Sequence, residues 1–191
     1  MPRAERERQM IQVAEGVFAE RGYAAASMDE IAERVGVSKP MLYEYFHSKE
    51  GLLLACIAQS RAELREVTEH AVAGAPSAEE ALRRGLRAFF DYIRQRRQAG
   101  SLLRHEMTLI GSGASGEIDA TRRQQTDLIA KLMEGYFDTG SPLRVEAAAE
   151  FVVGACERLA IWCERHEEVT PDRATDYAMD ILWTGLRERA R

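Results

Sequence analysis

Ser38, Lys39, Tyr43, Tyr45 and Lys49 crowd hydroxyl, phenol and ammonium donors into one short stretch of a 191-residue chain. Each group donates to oxygen, and a helix N-terminus pointing the same way adds free amides, so the stretch suits contact with phosphate. Lys49 adds its charge at the start of the following helix, where the dipole already favours an anion. Other chemistry finds less support. Cys156, Cys163 and His166 fall along one helix, but three ligands from a single helix make a poor metal site, and the cysteines read as small core or interface residues. A di-metal bundle needs Glu-x-x-His motifs on facing helices, a pair this sequence lacks. There is no Gly-rich phosphate loop and no nucleophile elbow, so no catalytic residue, no metal and no cofactor is assigned, and an enzyme is not expected.

The donors need a scaffold, and local grammar supplies one. Ser27-Met28-Asp29-Glu30 is a capping box in which the Ser27 hydroxyl accepts a free amide hydrogen and Glu30 reaches back. Gly36 stands just past Ile31–Val35, where a left-handed residue ends a helix. Ser38 then opens a very short helix to about Phe46. Ala32 is small where two helices cross, Gly36 makes the turn, and Val37 and Leu42 plug the angle, which is the spacing of a helix-turn-helix. A helix this short is not stable alone in water, so it must lean on its neighbours through Leu42 and Phe46. Its outer face carries Lys39, Pro40, Met41, Tyr43, Glu44 and Tyr45. Ahead of it, Ile11, Ala14, Val17 and Phe18 mark an amphipathic helix closed at Gly22-Tyr23, and behind it Ser48 opens a helix rich in Leu52, Leu53, Leu54 and Ile57.

Downstream the helices lengthen. Ala73–Pro76 is a break and Ser77–Glu80 a second capping box, opening a helix with Leu82, Leu86, Phe89, Phe90 and Ile93. A shorter piece with Leu102, Leu103, Met107 and Ile110 precedes a Gly- and Ser-rich run at 111–116, flexible by composition. A helical period runs from Ile118 to Phe137. Ser141-Pro142 and Thr170-Pro171 share one grammar, a hydroxyl cap followed by Pro at the first helical position, and open helices at about 142–166 and 171–189. The expected class is all-α with about nine helices: an N-terminal three-helix helix-turn-helix domain at 1–48 and a larger helical domain at 49–191.

These residues resemble a known family. Phe18–Tyr23, Ser27, Ile31-Ala32, Gly36–Ser38, Leu42-Tyr43, Tyr45-Phe46 and Lys49-Glu50 are similar, with matching spacing, to the DNA-binding domain of the tetracycline-repressor-like (TetR-type) transcriptional regulators. The rest of the chain resembles the family in length, helical content and the closing Leu182–Arg187. The resemblance implies that Ser27 caps the second helix and touches a phosphate. It implies that Ser38, Lys39, Pro40 and Met41 face base edges and that Tyr43, Tyr45 and Lys49 grip the backbone. Two residues depart from the pattern. Pro40 stands where Gly is common, removing an amide donor and biasing Lys39 away from helical geometry. Glu44 stands where His or an aromatic residue is frequent, and its carboxylate could only accept, for example from cytosine N4.

The same resemblance implies a homodimer reading a palindromic operator on double-stranded DNA, with half-sites about 34 Å apart. The last two helices carry apolar stripes suited to a four-helix bundle between subunits: Ala148, Val152, Ala155, Leu159 and Trp162 on one, Ala178, Ile181, Leu182 and Gly185 on the other. The alternative is that these stripes pack inside one chain. A cavity for a small hydrophobic or aromatic effector is implied among Phe89, Tyr92, Leu103, Met107, Ile110, Met133, Tyr136 and Phe137, with Arg104, His105 and Glu106 as polar anchors or a solvated face. The expected function is a ligand-released repressor. A helix-turn-helix module reused for protein contact and a helical-bundle enzyme are the alternatives.

Composition bounds these readings. With 46% hydrophobic and 30% charged residues the chain reads as globular, and three cysteines do not make a disulfide framework but fit a reducing compartment. The charged start is unlike a signal peptide and the longest apolar run, Leu52 to Ala58, is too short to span a bilayer, so a cytoplasmic protein without membrane contact is expected. Residues 1–50 hold seven Lys/Arg against nine Asp/Glu, a balance of −2. That is not the basic footprint usual for DNA binding, so the acids are expected to face away from the duplex and the salt dependence to be shallow.

Overall fold

The computed structural model describes residues 2–98, 115–137 and 141–187, and every regular element in them is a helix. There are eight: α1 (Arg3–Ala25), α2 (Met28–Val35), α3 (Lys39–Phe46), α4 (Lys49–Val72), α5 (Ala78–Gln95), α6 (Ser115–Tyr136), α7 (Pro142–Cys163) and α8 (Pro171–Leu186). The expected piece containing Leu102, Leu103, Met107 and Ile110 lies outside the described residues, as do Arg104, His105, Glu106 and the Gly- and Ser-rich run. No described helix is long and apolar enough to cross a membrane.

The caps form as the sequence predicts. Ser27 Oγ accepts from the Glu30 amide at 3.1 Å and Ser38 Oγ from the Met41 amide at 3.4 Å. Ser77, Ser141 and Thr170 cap α5, α7 and α8 in the same way. Gly36 is left-handed at φ 79° and returns its amide to the Ala32 and Glu33 carbonyls, which is what a helix end followed by a sharp turn requires. The reciprocal arm of the first box differs: the Glu30 carboxylate turns to Arg34 at 2.7 Å and Arg21 at 3.4 Å. α1 breaks at Gly22 (φ 74°) where an end is expected, but a last turn continues to Ala25. Arg3, Arg6 and Arg8 lie within α1. α3 already begins at Lys39, so the bias that Pro40 imposes on its neighbour does not delay the helix; Ser38 caps it and a first-turn proline forfeits only an amide that would be unpaired.

The chain divides into two compact units, one of Met1–Ala62 with Arg96–Thr121 and one of Glu63–Gln95 with Arg122–Arg191. The core of the first is built from Met10, Ala14, Val17 and Phe18 of α1, Ile31 of α2, Leu42 and Phe46 of α3, and Leu52, Leu53 and Ile57 of α4. Leu42 has no exposed surface and Phe46 is 6% exposed. At roughly 1.5–3 kcal/mol for each such side chain, these two hold a helix too short to persist by itself. A carboxylate sits in this unit's interior: Glu15 accepts from Ser60 Oγ at 2.9 Å and from Arg96 at 3.4 Å. A buried carboxylate needs such partners.

In the second unit α5 packs most extensively on α8. Arg83 pairs with Asp176 at 2.7 Å and Arg87 with Asp172 across these helices. Met133 and Phe137 bury against Ala78, Val145 and Ala149, with the Phe137 and Trp183 rings edge to face at 6.3 Å.

Candidate nucleic-acid interface

α3 presents what it does not bury. Leu42 and Phe46 point into the core, and the opposite side leaves Ser38, Lys39, Pro40, Tyr43 and Glu44 exposed, with Tyr43 at 41%. Ser27, at the cap of α2, is exposed as well. Met41 and Tyr45 are only half-open and pack against the core of the unit. The Tyr45 ring meets Phe46 at 6.0 Å and carries the Arg3 guanidinium 4.9 Å from its centre. The Tyr45 ring is therefore a seat for Arg3, and Arg3 joins the α3 surface from the start of α1.

Lys49 departs from expectation. Its ammonium turns inward and donates to the carbonyl oxygens of Tyr23 at 2.8 Å, Ala26 at 3.0 Å and Ala24 at 3.4 Å, with the Tyr23 ring 4.5 Å away. The final carbonyls of a helix have no partners within it and carry partial negative charge, so the end of α1 satisfies Lys49 where a phosphate was expected to. Nothing in the sequence near Lys49 signals this, because the acceptors lie more than twenty positions upstream.

The acids do not all face away from the cations. Lys39 Nζ lies 2.8 Å from Asp29 Oδ2, and this hydrogen bond is the main reason its ammonium is held more basic than usual. Arg34 reaches Glu20 at 2.8 Å and Glu30 at 2.7 Å, and those carboxylates raise its pKa likewise, the Glu20 hydrogen bond most. Three of the domain's acids, Glu20, Asp29 and Glu30, are thus matched to its cations around the helix-turn-helix, and the Asp29–Lys39 pair is one the sequence does not announce, since it places Asp29 only in a cap.

The other candidate residues that are described lie in the second unit. Phe89 is half-buried with its ring edge to face on Phe90 at 5.2 Å. Tyr92 is buried and donates to Glu63 at 3.3 Å, and Tyr136 donates to the Ala75 carbonyl at 3.2 Å. Met133, Tyr136 and Phe137 come together around one cluster, while Leu103, Met107 and Ile110 lie outside the described residues. A groove of about 430 Å³ is lined instead by charge, with Arg83, Arg84, Arg87, Asp91, Asp172 and Asp176 on its walls.

Of the residues expected between subunits, Val152, Ala178 and Leu182 are buried within the chain itself. The reason is that α8 turns Ala174, Ala178, Met179 and Leu182 inward as it packs on α5 and α7. Ala148, Leu159 and Trp162 are half-buried, Trp162 stacking on His166 at 4.2 Å and meeting Tyr177 at 6.5 Å. Ala155, Ile181 and Gly185 are exposed, and with them Leu143 at 76%, Phe151 at 66% and Ile181 at 73% leave large apolar surface open on α7 and α8. Among the cysteines, burial pushes the Cys56 and Cys163 thiols up and the Cys156 thiol to about 12, which suits packing residues rather than metal ligands.

Two family models match the sequence: bacterial regulatory proteins, tetR family, at residues 10–56, and a tetracyclin repressor-like C-terminal domain at residues 78–185. The chain is 30% identical to the HTH-type transcriptional activator FasR of Mycolicibacterium smegmatis, over 97% of this chain and 85% of that protein. A solved TetR-like transcriptional regulator from Rhodococcus sp. RHA1 is 33% identical with a TM-score of 0.75, covering 97% of each chain. The fold also matches, at 19% identity and a TM-score of 0.79, that of the transcriptional regulator FadR from Bacillus subtilis in complex with stearoyl-CoA, covering 94% of this chain and 98% of that one.

Proposed function

The chain belongs to the tetR family of bacterial regulatory proteins, DNA-binding transcriptional regulators, and from that premise we propose that it acts as a homodimer on a palindromic operator and is released by a small, mostly apolar effector. The observation that carries this reading is the two-sidedness of α3. Its inner side is locked by Leu42 and Phe46, so its outer side holds Ser38, Lys39, Tyr43 and Glu44 in a fixed arrangement suited to a major groove. Ser27 lies on the same domain as a hydroxyl for phosphate. Arg3, seated on Tyr45, replaces Lys49 as the additional cation.

One such unit contacts too little DNA for tight binding, and a twofold pair reads two half-sites about 34 Å apart. The exposed apolar side chains of Leu143, Phe151 and Ile181, with Ala155, support pairing through α7 and α8, since large apolar side chains left in water on these helices gain by being covered. The stearoyl-CoA held by the regulator of the same fold supports an apolar effector and makes long acyl compounds the first class to try. In this reading the effector shifts α4, which runs through both units, and works only through its different affinities for the two states.

A second reading concerns the sign of regulation. The 30% identical relative is an activator, which favours activation over repression as the outcome of the same DNA binding. The deciding experiment is a mobility shift on the protein's own upstream DNA, repeated with long-chain acyl compounds, beside a promoter-reporter assay. A shifted band lost on adding effector supports the proposal. A protein that stays monomeric at micromolar concentration and ignores every duplex offered overturns it.

A further inference from the structure

The geometry points to Asp29 as the residue that sets DNA affinity, by holding Lys39 in the free protein so that an intramolecular carboxylate competes with the duplex for the ammonium. This rests on the placement of α3 against DNA above. Lys39 is the only Lys or Arg between Lys39 and Phe46, so it is the cation that α3 itself brings to a phosphate. Its Nζ lies 2.8 Å from Asp29 Oδ2, across the turn that joins α2 to α3. Of the neighbouring cations, Arg34 is shared by Glu20 and Glu30, Arg21 lies on Glu30, Lys49 is held by three carbonyls, and Arg3 reaches this surface from α1, not from α3.

The pair is poised rather than locked. The side chains of Lys39 and Asp29 are 45% and 71% exposed, so water and salt screen their attraction and either group can exchange partners. A duplex then meets two alternatives. If Lys39 swings to a phosphate, an uncompensated carboxylate is left beside a polyanion. If Lys39 stays, α3 brings no free charge. Either way Asp29 weakens binding, and when Lys39 leaves, Asp29 takes up a cation that offsets one released from the DNA. The carboxylate thereby lowers both affinity and salt dependence.

The test uses the full chain and a fluorescein-labelled mixed-sequence duplex of about 30 base pairs, because phosphate-driven binding needs no operator. Anisotropy titrations between about 50 and 200 mM salt compare wild type, Asp29→Asn, Lys39→Gln and the double variant. Asp29→Asn is expected to bind about two- to five-fold tighter, the range an exposed pair commands. Its salt slope should steepen by up to about 0.9, one phosphate's worth. Lys39→Gln should bind more weakly, and Asp29→Asn should gain less in its presence. Both sites are exposed, and thermal melts by circular dichroism confirm folding. Asp29→Ser, which keeps an oxygen in the first turn of α2, must repeat the result of Asp29→Asn. Unchanged affinity in Asp29→Asn overturns the inference, and so does an equal gain with and without Lys39, which would make Asp29 a mere repulsive charge. Duplex binding that is indifferent to Lys39→Gln and to Tyr43→Ala alike would instead overturn the placement of α3, and this inference with it.

Discussion

The Lys49 ammonium sits 4.5 Å from the centre of the Tyr23 ring and donates at 2.8 Å to the carbonyl oxygen of the same residue. Together with the Ala24 and Ala26 carbonyls this makes Lys49 the closing group of α1, although it begins α4. Lys49→Met keeps the aliphatic stem and removes the donor. It is expected to lower the stability of folding by about 1.5–3 kcal/mol, the range for hydrogen bonds to a charged group, as read by urea unfolding. An unchanged midpoint would return Lys49 to the pool of phosphate ligands.

Tyr43 should behave in the opposite way. It is 41% exposed on the outer side of α3, so Tyr43→Ala should leave stability within about 0.5 kcal/mol while weakening operator binding. A lost hydrogen bond to phosphate corresponds to roughly five- to ten-fold in affinity. Paired urea and anisotropy measurements on the two variants separate a structural lysine from a contacting tyrosine.

Ile181 tests the subunit face. At 73% exposure it contributes little to the chain's own core, so Ile181→Glu should fold with wild-type helicity. A charge placed in an apolar interface costs several kcal/mol unless it finds a partner. Sedimentation should therefore show monomers where the parent is dimeric, and operator affinity should fall with dimerisation. A variant that remains dimeric moves the interface elsewhere.

The thiols give a pH prediction. Cys156 ionises near 12 in the folded chain against about 9 when unfolded, because burial penalises the thiolate. Folded protein thus holds a proton that unfolded protein releases, so stability is unaffected below the unfolded value and falls as pH rises from about 9 towards 12. Cys156→Ala should flatten that decline. With Ellman's reagent at neutral pH, half-buried Cys163 should react before Cys56 and Cys156, which should wait for unfolding.

Much of the fold was legible because helix ends are decided by residues three or four positions apart. Ser27, Gly36, Ser38, Ser77, Ser141-Pro142 and Thr170-Pro171 mark the boundaries seen in the structure, and the spacing of Ala32, Gly36 and Leu42 is sufficient for the helix-turn-helix. The candidate surface of α3 follows from the same logic, since Leu42 and Phe46 determine which side is inward.

Partners were not legible, because they depend on the rotation of whole helices against one another. α7 and α8 are apolar over so much of their circumference that periodicity could not tell Val152, Ala178 and Leu182, which pack inward, from Phe151 and Ile181, which stay in solvent. Lys49 finds its acceptors, and Glu15 its Ser60, across stretches of chain that no local pattern spans. Lys39 reads as a free cation until α2 and α3 are set at their angle and Asp29 comes within 2.8 Å. Among the described residues, sequence alone therefore determined which segments are helical and which side of α3 is available; only tertiary packing decided which charges on that side are already spoken for.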